Sequence, residues 1–255
     1  MFPAQRIEIL KRILKEQKTV DIATLCNMLQ VSNVTVRKYL DQLEEEGFLI
    51  KSHGGAMLAE QYDNSLIQFM QESQEDKDHI ANLAKTIIED GESIFIGAGS
   101  TCLALARKVI DLKNLTVVTN NVNALIELAP HIRNLQFVGG EISYDNGLMF
   151  SYGHKAMRHL EGMFVQKAFM SVQGLDFTAG LTSSDFETLD IFNKINNIAK
   201  KVVILADYTK FNKVSLHQIA HLTDYDIYIS NEKLDSEYKK YFFDHNIKIL
   251  TSYNI

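Results

Sequence analysis

Apolar residues recur with helical spacing over the first fifty positions. Ile7, Leu10, Ile13 and Leu14 form one stripe, which predicts an amphipathic helix. Thr19-Val20 reads as a short strand. Asp21 is a good N-cap, because its carboxylate can accept from the N–H groups that a helix leaves open. It introduces a short helix carrying Ile22, Leu25, Met28 and Leu29. Gln30-Val31 makes a tight turn. Ser32 caps a third helix whose Val36, Leu40 and Leu43 face inward, and Gly47 stands where a helix stop needs a glycine. Phe48-Leu49-Ile50 reads as a strand, His53-Gly54-Gly55 as a turn and Ala56-Met57-Leu58 as the returning strand. Three helices followed by a small hairpin predict a winged helix-turn-helix over residues 1–58.

The pattern then changes. Residues 59–75 are polar and acidic, with a short apolar patch at Leu66-Ile67 and Phe69-Met70, and read as a linker packed on a large second domain. From Asp76 a helix is expected through Ile80, Leu83, Ala84, Ile87 and Ile88 to Gly91. Apolar strands come next at Ile94–Ile96, Thr116–Thr119, Leu135–Val138, Ala168–Val172, Val202–Leu205, Ile227–Ile229 and Ile247–Leu250. Helical segments are expected near 101–110, 121–129, 153–161, 185–200 and 234–244. Continuous apolar strands alternating with helices predict a sheet buried on both faces. The fold class expected is therefore two-domain. A small α+β unit precedes an α/β domain over 76–255 with a doubly wound, mostly parallel sheet.

Composition narrows the class. Hydrophobic residues make up 46% and charged residues 23% of 255, with 13 Gly and 2 Pro, which fits ordinary folded domains. No apolar run approaches bilayer length. Met1 to Arg12 lacks the apolar core of a signal peptide. The two cysteines, Cys26 and Cys102, form no CxxC and no metal-ligand cluster. A disulfide framework, a structural metal and a cofactor are not expected, and a reducing cytoplasm is. The net charge is −6. Residues 1–58 hold eight Lys/Arg and seven Asp/Glu, so they carry +1 and the remainder −7. That asymmetry permits nucleic-acid binding at the N-terminal end without demanding it.

The chemistry of the first unit lies on its third helix. Asn33, Thr35, Arg37 and Lys38 occupy the first turns, the end that a recognition helix offers to base edges in the major groove. Arg and Asn make bidentate contacts to G and A, and Lys reaches guanine acceptors. Ser32, Thr35 and the helix N-terminus can hold phosphate. Lys51 and His53, on the wing, could touch backbone or minor groove. An isolated helix face of this kind is usually only solvated. The order helix, tight turn, capped helix, wing favours DNA.

In a doubly wound sheet, ligands bind beyond the carboxyl ends of the strands. Gly97-Ala98-Gly99-Ser100-Thr101 comes after the first strand and leads into a helix. Small residues let a backbone approach an anion, and the helix end and two hydroxyls supply donors. Cys102 breaks a GxGxxG pattern, Asn120-Asn121 replaces a ribose-binding acid, and the Gly-Lys-Ser/Thr of a Walker loop is absent. The loop suits a phosphate and suits a dinucleotide poorly. Gly139-Gly140-Glu141, Gln173-Gly174-Leu175-Asp176 and Ala206-Asp207-Tyr208-Thr209-Lys210 stand at the ends of later strands. Lys210 is the natural phosphate partner, with Asp207 or Asn120 available for sugar hydroxyls. A redox reading of Cys102, at a helix N-terminus, competes with a plain packing thiol.

Two sets of residues carry a resemblance. Val31-Ser32-Asn33-Val34-Thr35-Val36-Arg37-Lys38-Tyr39-Leu40, Leu43-Glu44, Gly47-Phe48-Leu49 and His53-Gly54-Gly55-Ala56 resemble the DNA-binding signature of the DeoR family of bacterial regulators. Gly99-Ser100-Thr101, Thr119-Asn120, Gly139-Gly140-Glu141, Gly180-Leu181-Thr182 and Ala206-Asp207-Tyr208-Thr209-Lys210-Phe211 resemble its sensor domain, whose fold is similar to that of ribose-5-phosphate isomerase. The resemblance implies a sugar-phosphate effector, with Gly99–Thr101 and Lys210 near its phosphate and Glu187 or Asp185 near its hydroxyls. The chain departs from the family at Lys38 and Tyr39, where Arg and Asp are usual, at Gly97, where many members carry Asp, and at Gln173. The operator and the effector contacts are expected to differ accordingly.

The function expected is a cytoplasmic, DNA-binding transcriptional repressor of carbohydrate genes, a homodimer or homotetramer on operator DNA, with no membrane partner. The effector residues expected are Gly97, Ala98, Gly99, Ser100, Thr101, Asn120, Gly139, Gly140, Gln173, Asp185, Glu187, Asp207 and Lys210. The alternative is a sugar-phosphate isomerase with an appended DNA-binding domain. Isomerisation needs a carboxylate base, which the isomerase resembled here supplies where this chain has Met170-Ser171-Val172-Gln173. Catalysis is therefore not expected.

Overall fold

The computed structural model describes residues 3–52, 54–59, 74–145 and 147–252. The chain divides into two compact units, Met1–Gln71 and Glu72–Ile255. Most of the expected linker and its apolar patch, and His53, lie outside the described residues.

The first unit runs α1 (Pro3–Gln17), β1 (Thr19–Asp21), α2 (Ile22–Leu29), α3 (Asn33–Glu45), β2 (Leu49–Ser52) and β3 (Gly55–Leu58). Its core gathers Leu10, Ile13, Leu14, Leu25, Leu29, Val36, Leu40 and Leu43, the stripes expected from the spacing. Met28 departs from that expectation and is half exposed. It lies one residue short of the buried Leu29, so the turn of the helix carries it off the core face. Tyr39 is buried with the core. The wing is a three-stranded sheet of order β1-β3-β2 rather than a lone hairpin. Thr19 pairs with Met57 and Asp21 with Gly55, both antiparallel, which supplies the hydrogen bonds a two-stranded ribbon leaves open.

The caps are those expected. Asp21 Oδ1 accepts from the Thr24 N–H at 2.8 Å. Gln30 takes the left-handed conformation at φ 54°, and Gly47 does so at φ 70° just beyond α3. The Asp21 carboxyl is held below its usual range by the Thr24 N–H and then by the Thr24 hydroxyl. Glu44 is lowered by its hydrogen bond from Lys51, and Glu46 by those from Gln42 and Lys11. Groups depressed on folding stabilise above their unfolded values, near 4, and lose that contribution as pH falls through the folded ones. Acidification below about pH 4 should therefore loosen α2 and α3. Amide hydrogen exchange at about pH 6 and about pH 3, corrected for intrinsic rates, reads the change, and unchanged protection overturns it.

The second unit opens with α4 (Gln74–Lys85). This helix stops short of Ile87 and Ile88, which the periodicity includes. A seven-stranded sheet comes next, built from β4 (Ser93–Ile96), β5 (Thr116–Thr119), β6 (Asn134–Phe137), β9 (Val165–Ser171), β12 (Ala199–Leu205), β14 (Ile227–Ile229) and β15 (Lys248–Leu250). Its order is β6-β5-β4-β9-β12-β14-β15, and every pairing is parallel. Strands run outward from β4 one way and from β9 the other, so the chain reverses its direction of travel between these two. Such a switch point leaves a crevice at the carboxyl ends.

Helices cover both faces. Helix α4 packs on α5 (Ser100–Lys108), and α5 on α6 (Val122–Leu128). On the other face, α7 (Gly153–His159), α8 (Phe186–Ile198) and α9 (Ser236–Asp244) bring Ala156, Ile191, Phe192, Ile195 and Phe242 onto Phe95, Ala168, Met170 and Ile204. Two antiparallel pieces were not expected. One is the hairpin β7 (Glu141–Asp145) with β8 (Leu148–Tyr152). The other is a small sheet of β10 (Gly174–Asp176), β11 (Gly180–Ser183) and β13 (His217–Ala220).

Candidate functional site

The outer face of α3 presents the expected residues. Ser32, Asn33, Arg37 and Lys38 are exposed and Thr35 is half-buried. Ser32 caps the helix, its hydroxyl 3.4 Å from the Thr35 N–H and 3.0 Å from the Thr35 hydroxyl. Arg37 Nε donates to Asn33 Oδ1 at 2.8 Å, one turn away. That bond holds the guanidinium and leaves its terminal nitrogens free to act as a fork. Val34 is 78% exposed in the same turn, a position that its apolar character hides in the sequence. Tyr39, which stands where the family usually has Asp, is buried and offers nothing to a base.

Lys51 behaves differently from the expectation. Its ammonium pairs with Asp41 Oδ1 at 2.7 Å and Glu44 Oε2 at 2.8 Å, and hydrogen bonds to those carboxylates push its pKa up. It ties the wing to α3 while its side chain stays partly exposed.

In the second unit the expected loop sits at the switch point. The Gly97 N–H donates to Phe169 O of β9 at 2.9 Å, and Gly97 itself is buried. Gly99 is at φ 106°, ψ 156° and precedes α5, whose start carries no side-chain cap. Its first N–H groups are therefore available to an anion. Ser100 is half-buried and Thr101 buried. Asn121 holds the loop from behind. Its Nδ2 lies 3.3 Å from both Gly97 O and Gly99 O, while its Oδ1 caps α6 by accepting from the Ala124 N–H. That scaffolding role was not expected from the sequence, although Asn before a helix is a signal for a cap.

Asn120 is 1% exposed. Its Nδ2 donates to Ser151 O at 3.0 Å, and its Oδ1 is buried without a partner. A small cavity beside it is lined by Ala98, Asn120, Phe150, Met170, Ser171, Thr188, Ile191 and Phe192. Ala98 belongs to the loop, so cavity and loop are continuous. Phe150 lies in the unexpected hairpin, and α8 brings Thr188, Ile191 and Phe192.

The remaining expected residues divide. Gly139 and Gly140 are half-buried after β6. The Gly139 N–H lies 3.3 Å from His159 Nδ1, and a side chain on Gly140 would strike Tyr152 O. Gln173 and Asp185 are joined, Nε2 to Oδ2 at 3.3 Å, and Gln173 Oε1 accepts from the Ser184 N–H at 2.7 Å. Glu187 is exposed in the first turn of α8. Asp207 is 1% exposed. Its Oδ1 accepts from the Thr209 N–H and hydroxyl, which caps the 3-10 turn Tyr208–Lys210 that holds Lys210. Cys102 is fully buried, and desolvation pushes its thiol up to about 12. Such a thiol stays protonated at neutral pH, against the redox reading.

A winged unit with a capped, polar third helix, followed by a doubly wound sheet with a glycine loop at its switch point, is the build of a helix-turn-helix transcriptional regulator. The chain matches the DeoR-like helix-turn-helix domain over residues 6–62 and the DeoR C terminal sensor domain over residues 72–232. It belongs to the DeoR family and is a DNA-binding transcriptional regulator. It is 31% identical over 249 residues to the HTH-type transcriptional regulator IolR of Bacillus subtilis (strain 168), covering 96% of this chain and 97% of that one. The HTH-type transcriptional repressor GlcR of the same organism is 30% identical over 234 residues, covering 91% and 89%. Among solved structures, ribose 5-phosphate isomerase A from Methanocaldococcus jannaschii aligns over 55% of both chains at 17% identity, with a TM-score of 0.40. A likeness at that level says nothing of ligand or reaction. No helix among the described residues is long and apolar enough to cross a membrane.

Proposed function

We propose that the protein is a repressor of carbohydrate genes whose grip on operator DNA is set by a phosphorylated sugar, and that it catalyses no reaction. Base reading falls to Asn33, Arg37 and Lys38, with Ser32, Thr35 and the N-terminus of α3 on phosphate. The effector's phosphate meets the loop Gly97–Thr101, with Lys210 as the cation. Gly139, Gly140 and the joined pair Gln173 and Asp185 border the same strand ends. A homodimer or homotetramer places two recognition helices on a repeated operator.

The observation that carries the effector reading is the uncapped start of α5 behind Gly99, at the switch point between β4 and β9. Against catalysis, no carboxylate is among the described residues lining the adjoining cavity, and Gln173 is engaged with Ser184 and Asp185. Coupling arises if the effector prefers one arrangement of the oligomer over the other.

The test pairs two measurements on the intact protein. A thermal-shift screen of phosphosugars should find compounds that raise the melting temperature with concentration. The same compounds should release a fluorescent promoter duplex from the protein. A sensor that binds a phosphosugar while operator affinity stays constant overturns the coupling, and turnover of that compound overturns the claim of no catalysis.

A further inference from the structure

One residue in the first turn of α3 breaks the pattern of that helix. Its other apolar side chains, Val36, Tyr39, Leu40 and Leu43, are all buried, whereas Val34 is 78% exposed. Nothing inside the unit rewards a valine there. A β-branched residue is a poorer helix former than Ala, Glu or Lys, and an uncharged one adds nothing at the positive end of a helix. An acid would suit that end, yet the first turn carries none. A negative charge at this place would repel DNA phosphates, and a valine does not. A single exposed valine elsewhere needs no explanation. This one stands three residues before Arg37 and four before Lys38, the spacing that puts side chains on one helix face, and both of those are exposed. Arg37 is engaged with Asn33 Oδ1 and leaves Val34 uncovered.

From this we infer that Val34 is a specificity residue, and that its methyl groups meet the C5-methyl of a thymine in the major groove of the operator. The inference rests on the reading of α3 as the helix that reads bases, and adds a base to what it reads. The valine side chain has no donor and no acceptor, so it cannot tell bases apart by hydrogen bonding. The thymine methyl is the apolar group that base pairs offer in that groove. Methyl against methyl removes both from water. Residues three apart on a helix differ in rise by about 4.5 Å and stacked bases by about 3.4 Å. The thymine therefore belongs to a base pair beside, or one beyond, the pair met by Arg37.

The experiment uses the full-length protein and duplex DNA. The parent, Val34→Ala and Arg37→Ala each select binders from a random-sequence duplex pool. The thymines of the duplex selected by the parent are then replaced one at a time by deoxyuridine, which lacks only the methyl, and fluorescence anisotropy reads the affinities. For the parent, deoxyuridine at one thymine in each copy of the recognised sequence is expected to weaken binding about fourfold, the worth of one buried methyl. Val34→Ala should bind the thymine and deoxyuridine duplexes equally, and its selected pool should lose the preference for thymine at that position alone. Val34→Ile should keep the discrimination. The salt dependence of Val34→Ala should equal that of the parent, since no charge is lost. Alanine is the better helix former, so unfolding does not produce this pattern. The inference is overturned if no deoxyuridine weakens the parent, or if Val34→Ala stays as sensitive as the parent to the same deoxyuridine. Arg37→Ala then separates the two failures. A pool relaxed at one other base pair leaves α3 as the reading helix without Val34, and an unrelaxed pool removes α3 from base reading. A parent that selects no sequence removes base reading by α3 and this inference with it.

Discussion

The Arg37→Ala variant is expected to bind operator duplex about 10- to 100-fold more weakly than the parent, with the folded state intact. Arg37 is exposed on α3, and Ala is at least as good a helix former as Arg, so the loss should not come from unfolding. Its Nε–H is engaged by Asn33 Oδ1 one turn earlier. The planar group is thus held before DNA arrives, and less side-chain entropy is lost on binding. A bidentate contact to a guanine should also show as relaxed preference at one base pair. A phosphate contact would weaken all sequences alike and flatten the salt dependence by about one unit. Fluorescence anisotropy with operator and scrambled duplexes at several salt concentrations separates these outcomes. Arg37→Lys keeps the charge and loses the fork, so it should resemble alanine at the specific site and the parent on scrambled DNA. Undiminished operator binding by Arg37→Ala would remove α3 from base reading.

The second large effect is expected at Gly99. Its φ of 106° and ψ of 156° lie in a region that residues with a side chain adopt at a cost of about 1–3 kcal/mol. A Cβ there would stand 3.1 Å from the Ser171 Cβ, so the loop or Ser171 would have to give by a few tenths of an ångström on top of the backbone strain. Gly99→Ala should therefore open or tilt the start of α5 and misplace its N–H donors. The protein should lose tenfold or more in phosphosugar affinity, while operator binding in the absence of effector is kept. In cells the same variant should repress without responding to the effector. Titration calorimetry and the duplex-release assay check both halves, and an unchanged effector response would show that the loop is not the anion site.

Part of this was legible along the chain. The recognition helix could be read because each device acts within a few residues. Ser32 caps its own helix, Gly47 ends it, and Val36, Leu40 and Leu43 mark its buried side. The loop at Gly97–Thr101 was legible for the same reason, since a glycine turn between an apolar strand and a helix is a local pattern. Contacts that depend on a distant partner are not legible in this way. Lys51 looked free until the fold brought Asp41 and Glu44 to it. The capping of the turn by Asp207 Oδ1 at Thr209 is seen only in the fold. The hairpin β7–β8 was missed because its alternation of apolar and polar residues is short and comes directly after a pair of glycines, and Phe150 was missed with it.

The residue order by itself determined the elements of the first unit, the main strands and helices of the second, the caps at Asp21 and Ser32 and most of the apolar faces, because those depend on backbone sterics and periodicity over a turn or two. Only the tertiary structure decided which strands are neighbours, and so where the direction of winding reverses. That choice is made by burial across the whole sheet, and it is what sets Asn120, Met170 and Phe192 around one cavity from segments far apart in the chain.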